Sequence, residues 1–320
     1  MLLPRLLKKH PRVIVSYRNS GFGDNLLAAA SAWRYAKNTN RALVICWRFS
    51  RYLADKSENA FSRFFKVPES IEGVPVIAEP RIDSLSALLI IRPYYIYPDP
   101  DPLSILYMLL SNLHLPFDSL LRKRVLRRHV LIDSLINDSE DVNESIIITH
   151  GCYVPNDNLK PFFDSLELRP ELQQKADEFA HRYFRNKKVI GVHIRYYNER
   201  MPRSDHTRYW QDQVQALCLC LNKIKEAEAK VNHTGYVIFL STDSRLVRDF
   251  IAGAVKNVVI YEKLFGSDIS KELHRELPVE TAEATLIEMF LLARSDILVR
   301  FPPGSWFSHY ASLYAKEIIA

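Results

Sequence analysis

The sequence predicts an α/β protein of two domains, each built on a mostly parallel sheet. The chain has 320 residues, which is too long for one ordinary core and suits two domains. Short β-branched runs alternate with amphipathic segments of helical period, as in βαβ units. Hydrophobic residues make up 48% of the chain and charged residues 25%, as in globular proteins with a sizeable core. These observations predict two doubly wound sheets that face each other across a cleft, with domains at residues 1–158 and 159–320.

The first half opens with a βαβ unit. Residues 13–17 and 41–47 predict buried strands, and Asp24 is placed to cap the helix between them. Pro75 predicts an edge position for the strand at 74–77, because proline cannot donate to a ladder. The remaining predicted elements of this half are strands at 87–91 and 145–149, a proline- and aromatic-rich loop at 94–102 and a helix at 103–113.

The second half alternates strand and helix more regularly, after a linker at 155–161. Predicted strands lie at 188–195, 236–240, 258–261 and 296–301. Predicted helices lie at 170–184, 210–229, 246–252, 281–294 and 306–319. Ligands of doubly wound sheets bind at the carboxyl ends of the strands, so the residues that follow the strands are the candidates for a functional site.

Charge and cysteine content limit the function classes. The formal net charge of +6 is modest and spread along the chain, which suits an anionic ligand such as a nucleotide diphosphate. No aromatic-plus-basic recognition motif appears, so nucleic acid is not an expected partner. The four cysteines are too scattered for a disulfide framework, and they lack the spacing of a zinc site, so we expect free thiols: Cys46, Cys152, Cys218 and Cys220.

The N-terminal segment MLLPRLLKKH is short, basic and interrupted by Pro4. It lacks the apolar run of a secretion signal or an anchor helix. We therefore expect a cytoplasmic protein, and the basic tip leaves peripheral contact with the inner membrane open.

The first candidate site is the loop Ser20-Gly21-Phe22-Gly23-Asp24 between a strand and a helix. Gly21 and Gly23 allow close backbone approach, and a helix N-terminus offers N–H groups to a phosphate. A tight turn explains the same residues. Leu26 stands where the dinucleotide fingerprint needs its third glycine, and no Walker pattern is present, which disfavours NAD and ATP loops.

The second candidate site is the end of the strand Gly191-Val192-His193-Ile194-Arg195. Strand alternation puts His193 and Arg195 on the same side. The arginine can donate two parallel hydrogen bonds to a diphosphate, and the histidine can form a hydrogen bond with the edge of a base or a sugar. A surface arginine beside a satisfied core histidine is the alternative.

The third candidate site is Ser241-Thr242-Asp243-Ser244, after the strand at 236–240. Asp243 and the hydroxyl groups can contact ribose or phosphate. Small polar residues at this position are also the standard N-cap of a following helix, and this simpler interpretation is favoured.

The fourth candidate site begins at Glu288, in a helix that is apolar on nearly all sides. No basic residue stands three or four positions away, so this buried carboxylate needs donors from elsewhere. Guanine offers two adjacent N–H donors. The chain then reaches Arg300 and Ser305, where a hydroxyl and backbone amides can hold a phosphate. A partly exposed glutamate and a structural turn are the alternative.

Several segments in the same order resemble the rhizobial nodulation α-1,6-fucosyltransferases, relatives of the core α-1,6-fucosyltransferases of animals. The resemblance covers nearly the whole chain. It is carried by residues 20–24, 32–37, 47–48, 52–53, 73–77, 190–195, 206–210, 239–244, 286–294 and 299–305.

The resemblance implies a GT-B type fold of two Rossmann-like domains, the first on the acceptor side and the second binding the nucleotide sugar. It implies GDP-fucose as donor, inversion at the anomeric carbon and no metal ion. Arg195 and Ser305 would hold the β-phosphate, and His193 and Glu288 the guanine, with Asp243 and Arg300 also in the donor site. Arg195 would neutralise the departing GDP.

The segment after Arg195 departs from the family pattern. Members commonly have His-Gly-Asn-Gly there, and this chain has Tyr196-Tyr197-Asn198-Glu199. Inversion calls for a base on the acceptor hydroxyl, and Glu199 and Asp205 are the candidates.

The sequence thus predicts a fucosyltransferase acting on an N-acetylglucosamine-containing oligosaccharide or lipo-oligosaccharide, resembling a chitooligosaccharide. Two alternatives stay open: a transferase with another nucleotide sugar, and a non-catalytic protein that binds GDP or a glycan.

Overall fold

A computed structural model of the chain describes residues 6, 8–18, 20–47, 50, 52–53, 55, 58–79, 129–132, 146–149, 159–196, 213–231, 235–265 and 279–320. The chain forms two compact units, Met1–Arg169 and Pro170–Ala320. The strand predicted at 87–91, the loop at 94–102 and the helix at 103–113 lie outside the described residues. Within the described ranges, no helix combines the length and apolar character that a membrane crossing requires.

The first unit is built on a sheet with six described strands. In chain order they are β1 (Val13–Ser16), β2 (Ala42–Ile45), β4 (Ser70–Ile71), β5 (Val74–Ile77), β6 (His129–Ile132) and β7 (Ile146–Thr149). Their order across the sheet is β4-β5-β2-β1-β7-β6, and every pair is parallel except β4 with β5. A separate antiparallel pair joins β3 (Phe65–Lys66) to β8 (Glu167–Leu168). The helices are α1 (Phe22–Asn38), α2 (Ala60–Phe64) and α3 (Lys160–Asp164).

Helix α1 packs on this sheet through small side chains. Five alanines of α1 are fully buried: Ala28, Ala29, Ala30, Ala32 and Ala36. Alanine has no side-chain rotamer entropy to lose and lets a helix lie close to its neighbour. Trp33 on the same helix donates its indole N–H to the Ile71 carbonyl at 3.1 Å, which satisfies a polar group inside the core.

Two local predictions for the first unit are wrong. Asp24 is not the N-cap, because α1 already begins at Phe22 with Gly21 in the cap position, and Asp24 lies in the first turn. Pro75 does not mark an edge, because β5 pairs with β2 on one side and β4 on the other. The edge here is β4, which has only two residues. Strand β6 was not predicted at all.

The second unit contains a fully parallel sheet of five described strands. They are β9 (Lys188–Ile194), β10 (Tyr236–Thr242), β11 (Val258–Val259), β12 (Ile297–Phe301) and β13 (Glu317–Ile319), in the order β11-β10-β9-β12-β13. The helices are α4 (Pro170–Tyr183), α5 (Gln213–Lys230), α6 (Arg245–Ala254), α7 (Val279–Leu292) and α8 (Phe307–Ser312). The predicted α/β architecture with parallel sheets is therefore confirmed in both units.

The prediction of one final helix over 306–319 is wrong. Helix α8 ends at Ser312, and β13 then adds to the sheet beside β12, with Leu298 paired to Ile318. Ile319 is buried in the core of this unit. The apolar Ile318 and Ile319 fit a strand as well as a helix, and the edge of a parallel sheet is available to pair with them.

The segment 159–169, which was predicted to begin the second domain, belongs to the first compact unit. Its strand β8 pairs with β3, and the Arg169 guanidinium donates to the Ser62 carbonyl at 2.8 Å. Lys66 and Glu167 form an exposed ion pair across the two strands. The compact units therefore divide after Arg169, later than the predicted boundary at 158.

Gly191 lies at the centre of β9 and faces the chain just before β12. A Cβ at this position would lie 2.0 Å from the Ser295 Oγ and 2.9 Å from its Cβ, so a larger residue must displace Ser295. We expect Gly191→Ala to lower the free energy of unfolding by about 1–3 kcal/mol, measured by urea denaturation.

Gly253 in α6 is the matched control for Gly191, since a Cβ there meets no atom within 4 Å. Gly253→Ala should raise stability by up to about 1 kcal/mol through helix propensity. Equal effects of the two substitutions would contradict the close approach of β9 to Ser295.

Candidate functional site

Register brings three of the predicted segments together at the carboxyl ends of the central strands of the second sheet. His193 on β9 is paired with Ser241 on β10 and with Arg300 on β12. The three residues come from parts of the chain more than 40 positions apart, and only the parallel pairing makes them neighbours. The end of β9 is therefore the centre of the candidate site.

His193 is buried beside an aromatic ring. It is 4% exposed, and its imidazole packs 5.0 Å from the Phe307 ring. Burial lowers the pKa of His193 well below its usual value, and the positive charges of Arg195, Lys263 and Arg300 lower it further. The ring is therefore neutral at neutral pH. Its Nδ1 has no hydrogen-bond partner among the described residues, so a ligand can use it.

Arg195 follows β9 directly and is fixed at both ends. Its backbone N–H donates to the Phe301 carbonyl at 2.8 Å, and its guanidinium lies 3.0 Å from the Asp243 Oδ2. The other carboxylate oxygen of Asp243 accepts the Tyr196 N–H at 2.7 Å. The Arg195 side chain is nevertheless 44% exposed. Asp243 thus orients a guanidinium that is open to an anion.

Glu288 on α7 is 1% exposed and is held on one oxygen. Its Oε2 accepts a hydrogen bond from the Ser241 hydroxyl at 3.2 Å and an ion-paired hydrogen bond from the Lys263 ammonium. As predicted, the donors to Glu288 come from elsewhere in the chain, and two of them are the protein groups Ser241 and Lys263. The second oxygen, Oε1, has no partner within the described part of the chain.

The protonation of Glu288 depends on two opposed effects. Burial raises the pKa of the Glu288 carboxyl group, and the nearby Lys263 ammonium and Ser241 hydroxyl lower it. The Asp243 carboxylate adds a smaller upward contribution to the same pKa. Sequence reasoning missed Lys263, because neither its spacing from Glu288 nor its local pattern relates the two.

Arg300 and Ser305 lie together in the segment that leads from β12 to α8. The Arg300 guanidinium donates to the Ser308 hydroxyl and to the Ser305 carbonyl, both at 3.0 Å. Ser305 is 5% exposed. In the structure Arg300 therefore fixes the backbone that carries Ser305, one strand away from His193.

Two of the polar residues after 240, Thr242 and Ser244, have local roles. The Ser244 hydroxyl accepts the Val247 N–H at 3.4 Å and caps α6. Ser241 and Thr242 lie within β10 itself, which extends two residues beyond the predicted strand. The capping interpretation is confirmed for Ser244, while Ser241 and Asp243 contact the candidate site.

The glycine loop of the first unit forms a hydrogen-bonded turn. The Ser20 hydroxyl donates to the Asp24 carboxylate at 3.0 Å, and the Ser20 N–H donates to the Asn25 side chain at 3.0 Å. Arg18 lies 3.7 Å from Asp24. Gly23 lies inside α1, and the Gly21 carbonyl accepts the first helical N–H. These contacts are those of a strand-to-helix turn.

The two candidate bases, Glu199 and Asp205, lie outside the described residues. Over the part of the chain that the structure describes, no cluster of three or more His, Cys, Asp or Glu side chains has the arrangement of a metal site.

Comparison with known sequences relates the chain to one family. Residues 10–320 match the family described as Nodulation protein Z (NodZ). The Nodulation protein Z of Bradyrhizobium diazoefficiens is 33% identical over 314 residues, which span 96% of this chain and 80% of the relative. That of Sinorhizobium fredii is 31% identical over 313 residues, which span 96% and 92% of the two chains.

Solved structures give the same relationship. The crystal structure of fucosyltransferase NodZ from Bradyrhizobium has a TM-score of 0.69 and 30% identity, over 96% of this chain and 94% of that one. NodZ α-1,6-fucosyltransferase soaked with GDP-fucose has a TM-score of 0.68 at 30% identity. POFUT1 in complex with GDP-fucose, at 14% identity and a TM-score of 0.52, shares the fold alone. The predicted GT-B type, with two Rossmann-like domains, is confirmed.

Proposed function

Because this chain belongs to the Nodulation protein Z (NodZ) family, we propose that it is an inverting fucosyltransferase. It takes fucose from GDP-fucose and attaches it through an α-1,6 linkage to an N-acetylglucosamine-containing, chitooligosaccharide-like acceptor. The donor is the ligand that the solved NodZ structure was soaked with. The single observation that carries the proposal is the exposed Arg195 guanidinium, oriented by Asp243 beside the buried His193.

The second unit binds the donor in this proposal. Arg195 and Ser305 hold the β-phosphate, and His193 and Glu288 bind the guanine. An arginine suits a diphosphate because its planar fork can donate two parallel hydrogen bonds to phosphate oxygens. His193 Nδ1 and Glu288 Oε1, which have no hydrogen-bond partner among the residues that the structure describes, suit a base edge, because a buried polar atom gains most from a ligand that satisfies it.

Transfer breaks the bond between the fucose anomeric carbon and a β-phosphate oxygen. The acceptor hydroxyl oxygen forms its bond to that carbon from the opposite face, which inverts the configuration. The hydroxyl proton passes to a base, for which Glu199 and Asp205 are the candidates. The electron pair of the broken bond leaves with GDP, and the Arg195 guanidinium neutralises the charge that develops there. This positive charge supports a reaction without a metal ion.

In this proposal the first unit is the acceptor side, and the turn at Gly21, Gly23 and Asp24 is the candidate loop for a phosphate at the cleft. A cytoplasmic enzyme fits the free thiols of Cys218 and Cys220, which are two positions apart on α5 and are not paired with each other. The oligosaccharide or lipo-oligosaccharide acceptor would be made in the same compartment, and the basic N-terminal tip would support peripheral contact with the inner membrane.

Isothermal titration calorimetry with GDP, GDP-fucose and GDP-mannose tests the donor. We expect GDP and GDP-fucose to bind, and GDP-fucose to bind more tightly than GDP-mannose. Equal or tighter binding of GDP-mannose would favour a transferase that uses another sugar. Binding without GDP release in the presence of a chitooligosaccharide would favour a non-catalytic protein, and failure to bind either GDP or GDP-fucose would contradict the proposal.

A further inference from the structure

Lys263 and Glu288 form a buried ion pair at the candidate site. Their side chains are 9% and 1% exposed. Lys263 lies beyond β11, and Glu288 lies on α7, so the pair connects two separate parts of the second unit. The Lys263 Nζ also lies over the Phe265 ring, 5.6 Å from its centre. The ammonium group is therefore held in place rather than mobile at the surface.

Both protein donors reach the same oxygen of Glu288. The Lys263 ammonium and the Ser241 hydroxyl bond to Oε2, while Oε1 is buried without a partner among the described residues. Each carboxylate oxygen can accept about two hydrogen bonds. The two protein donors thus use the hydrogen-bonding capacity of Oε2, and Oε1 can still accept hydrogen bonds from a ligand.

A buried carboxyl group is an acceptor on both oxygens, with no donor of its own, only while it is ionised. Burial favours the protonated form, in which one oxygen becomes a donor and repels an N–H group. The Lys263 ammonium at hydrogen-bond distance opposes this preference, although burial is the larger effect and the pKa of Glu288 stays raised. The pair also fixes the rotation of the carboxylate, because two donors hold Oε2 from β10 and from the loop beyond β11.

We propose that Lys263 is a positioning residue for guanine recognition, which holds Oε2 of the Glu288 side chain so that Oε1 faces the N1–H and the exocyclic N2 amino group of the base. This inference rests on the proposed function, since it concerns the guanine end of the same donor. It also explains selectivity, because adenine presents an acceptor where guanine presents N1–H, and hypoxanthine lacks the N2 amino group.

The other charged groups near the pair do not replace Lys263. Asp243 has the same sign as Glu288 and opposes its ionisation. Arg195 is paired with Asp243, and Arg300 is bonded to Ser305 and Ser308. Of the described basic side chains, Lys263 is the one that forms a salt bridge to Glu288.

The test is calorimetric titration of Lys263→Met and Lys263→Arg with GDP and with inosine diphosphate. We expect Lys263→Met to weaken GDP binding by about tenfold to a hundredfold, as for the loss of hydrogen bonds to a charged group. The affinity for inosine diphosphate should fall by a smaller factor, so that the ratio of the GDP affinity to the inosine diphosphate affinity approaches one. Lys263→Arg keeps the charge and should restore most of the affinity and the preference.

Lys175→Met is the matched control. Lys175 also forms an ion pair with a glutamate of α7, Glu283, but the two side chains are 49% and 20% exposed. Its substitution should leave both affinities at the parental values. A change as large as that of Lys263→Met would show a general effect on α7 and would overturn the inference.

A double-substitution cycle separates the action of Lys263 through Glu288 from any other effect of Lys263→Met. In a Glu288→Gln background no buried carboxylate remains, so adding Lys263→Met should change GDP affinity by no more than about twofold. Loss of GDP affinity to the same extent in both backgrounds would overturn the inference, as would parental affinity and preference in Lys263→Met. Failure of the unsubstituted chain to bind GDP would instead contradict the proposed function.

Discussion

An Arg195→Ala variant is expected to transfer fucose with a kcat roughly a hundredfold to a thousandfold below that of the unsubstituted enzyme, as for removal of one preorganised donor to a developing charge. The guanidinium is 44% exposed and is aligned by the Asp243 carboxylate, which fits its proposed role towards the departing GDP. The measurement is the steady-state rate of fucose transfer at saturating GDP-fucose and acceptor. An exposed ion pair contributes little to stability, so the melting temperature should barely change.

Arg195→Lys is the informative comparison for this prediction. Lysine keeps the positive charge but lacks the planar fork, and we expect a kcat between those of the alanine variant and the unsubstituted enzyme. A kcat of Arg195→Ala equal to that of the unsubstituted enzyme would remove the proposed role in GDP departure.

A Glu288→Ala variant is expected to raise the KM for GDP-fucose by about tenfold to a hundredfold and to change kcat only a few-fold, because guanine lies far from the bond that breaks. It should also destabilise the protein. Lys263 would remain buried without its partner, and breaking a buried ion pair from one side costs about 3–5 kcal/mol. Steady-state kinetics and urea denaturation measure the two effects separately.

The control for Glu288 is Glu283→Ala on the same helix, since Glu283 pairs with Lys175 near the surface. Its effect on stability should stay within about 1 kcal/mol, and KM should not change. A Glu288→Ala variant that loses kcat but keeps its KM would place Glu288 at the reacting bond and contradict its assignment to the base.

The sequence predicts most of the second unit because its strands are apolar and its helices are amphipathic. Strands at 188–195, 236–240 and 296–301 correspond to β9, β10 and β12, and periodicity alone locates them. The family resemblance adds an expectation that periodicity does not give, namely which of the residues after these strands bind the donor. The register that puts His193 between Ser241 and Arg300 is a property of the sheet and required the structure.

The errors have physical reasons as well. A long-range ion pair such as that of Lys263 with Glu288 leaves no local signature, so sequence reasoning predicted donors to Glu288 from elsewhere but did not find Lys263. The composition of the segment 313–319 favours a helix. Its last residues instead form β13, because the outer edge of β12 is available to pair with them. Residues 159–169 were assigned to the second domain, while the pairing of β8 with β3 places them in the first unit.

Mass spectrometry of the product formed from GDP-fucose and a chitooligosaccharide, with NMR assignment of the new linkage, tests the central claim most directly. We expect one fucose on each modified chain, linked to the 6-hydroxyl of an N-acetylglucosamine unit with the anomeric configuration inverted relative to the donor. GDP-fucose that binds and remains intact beside an unmodified acceptor, or a product with the configuration retained, would contradict it.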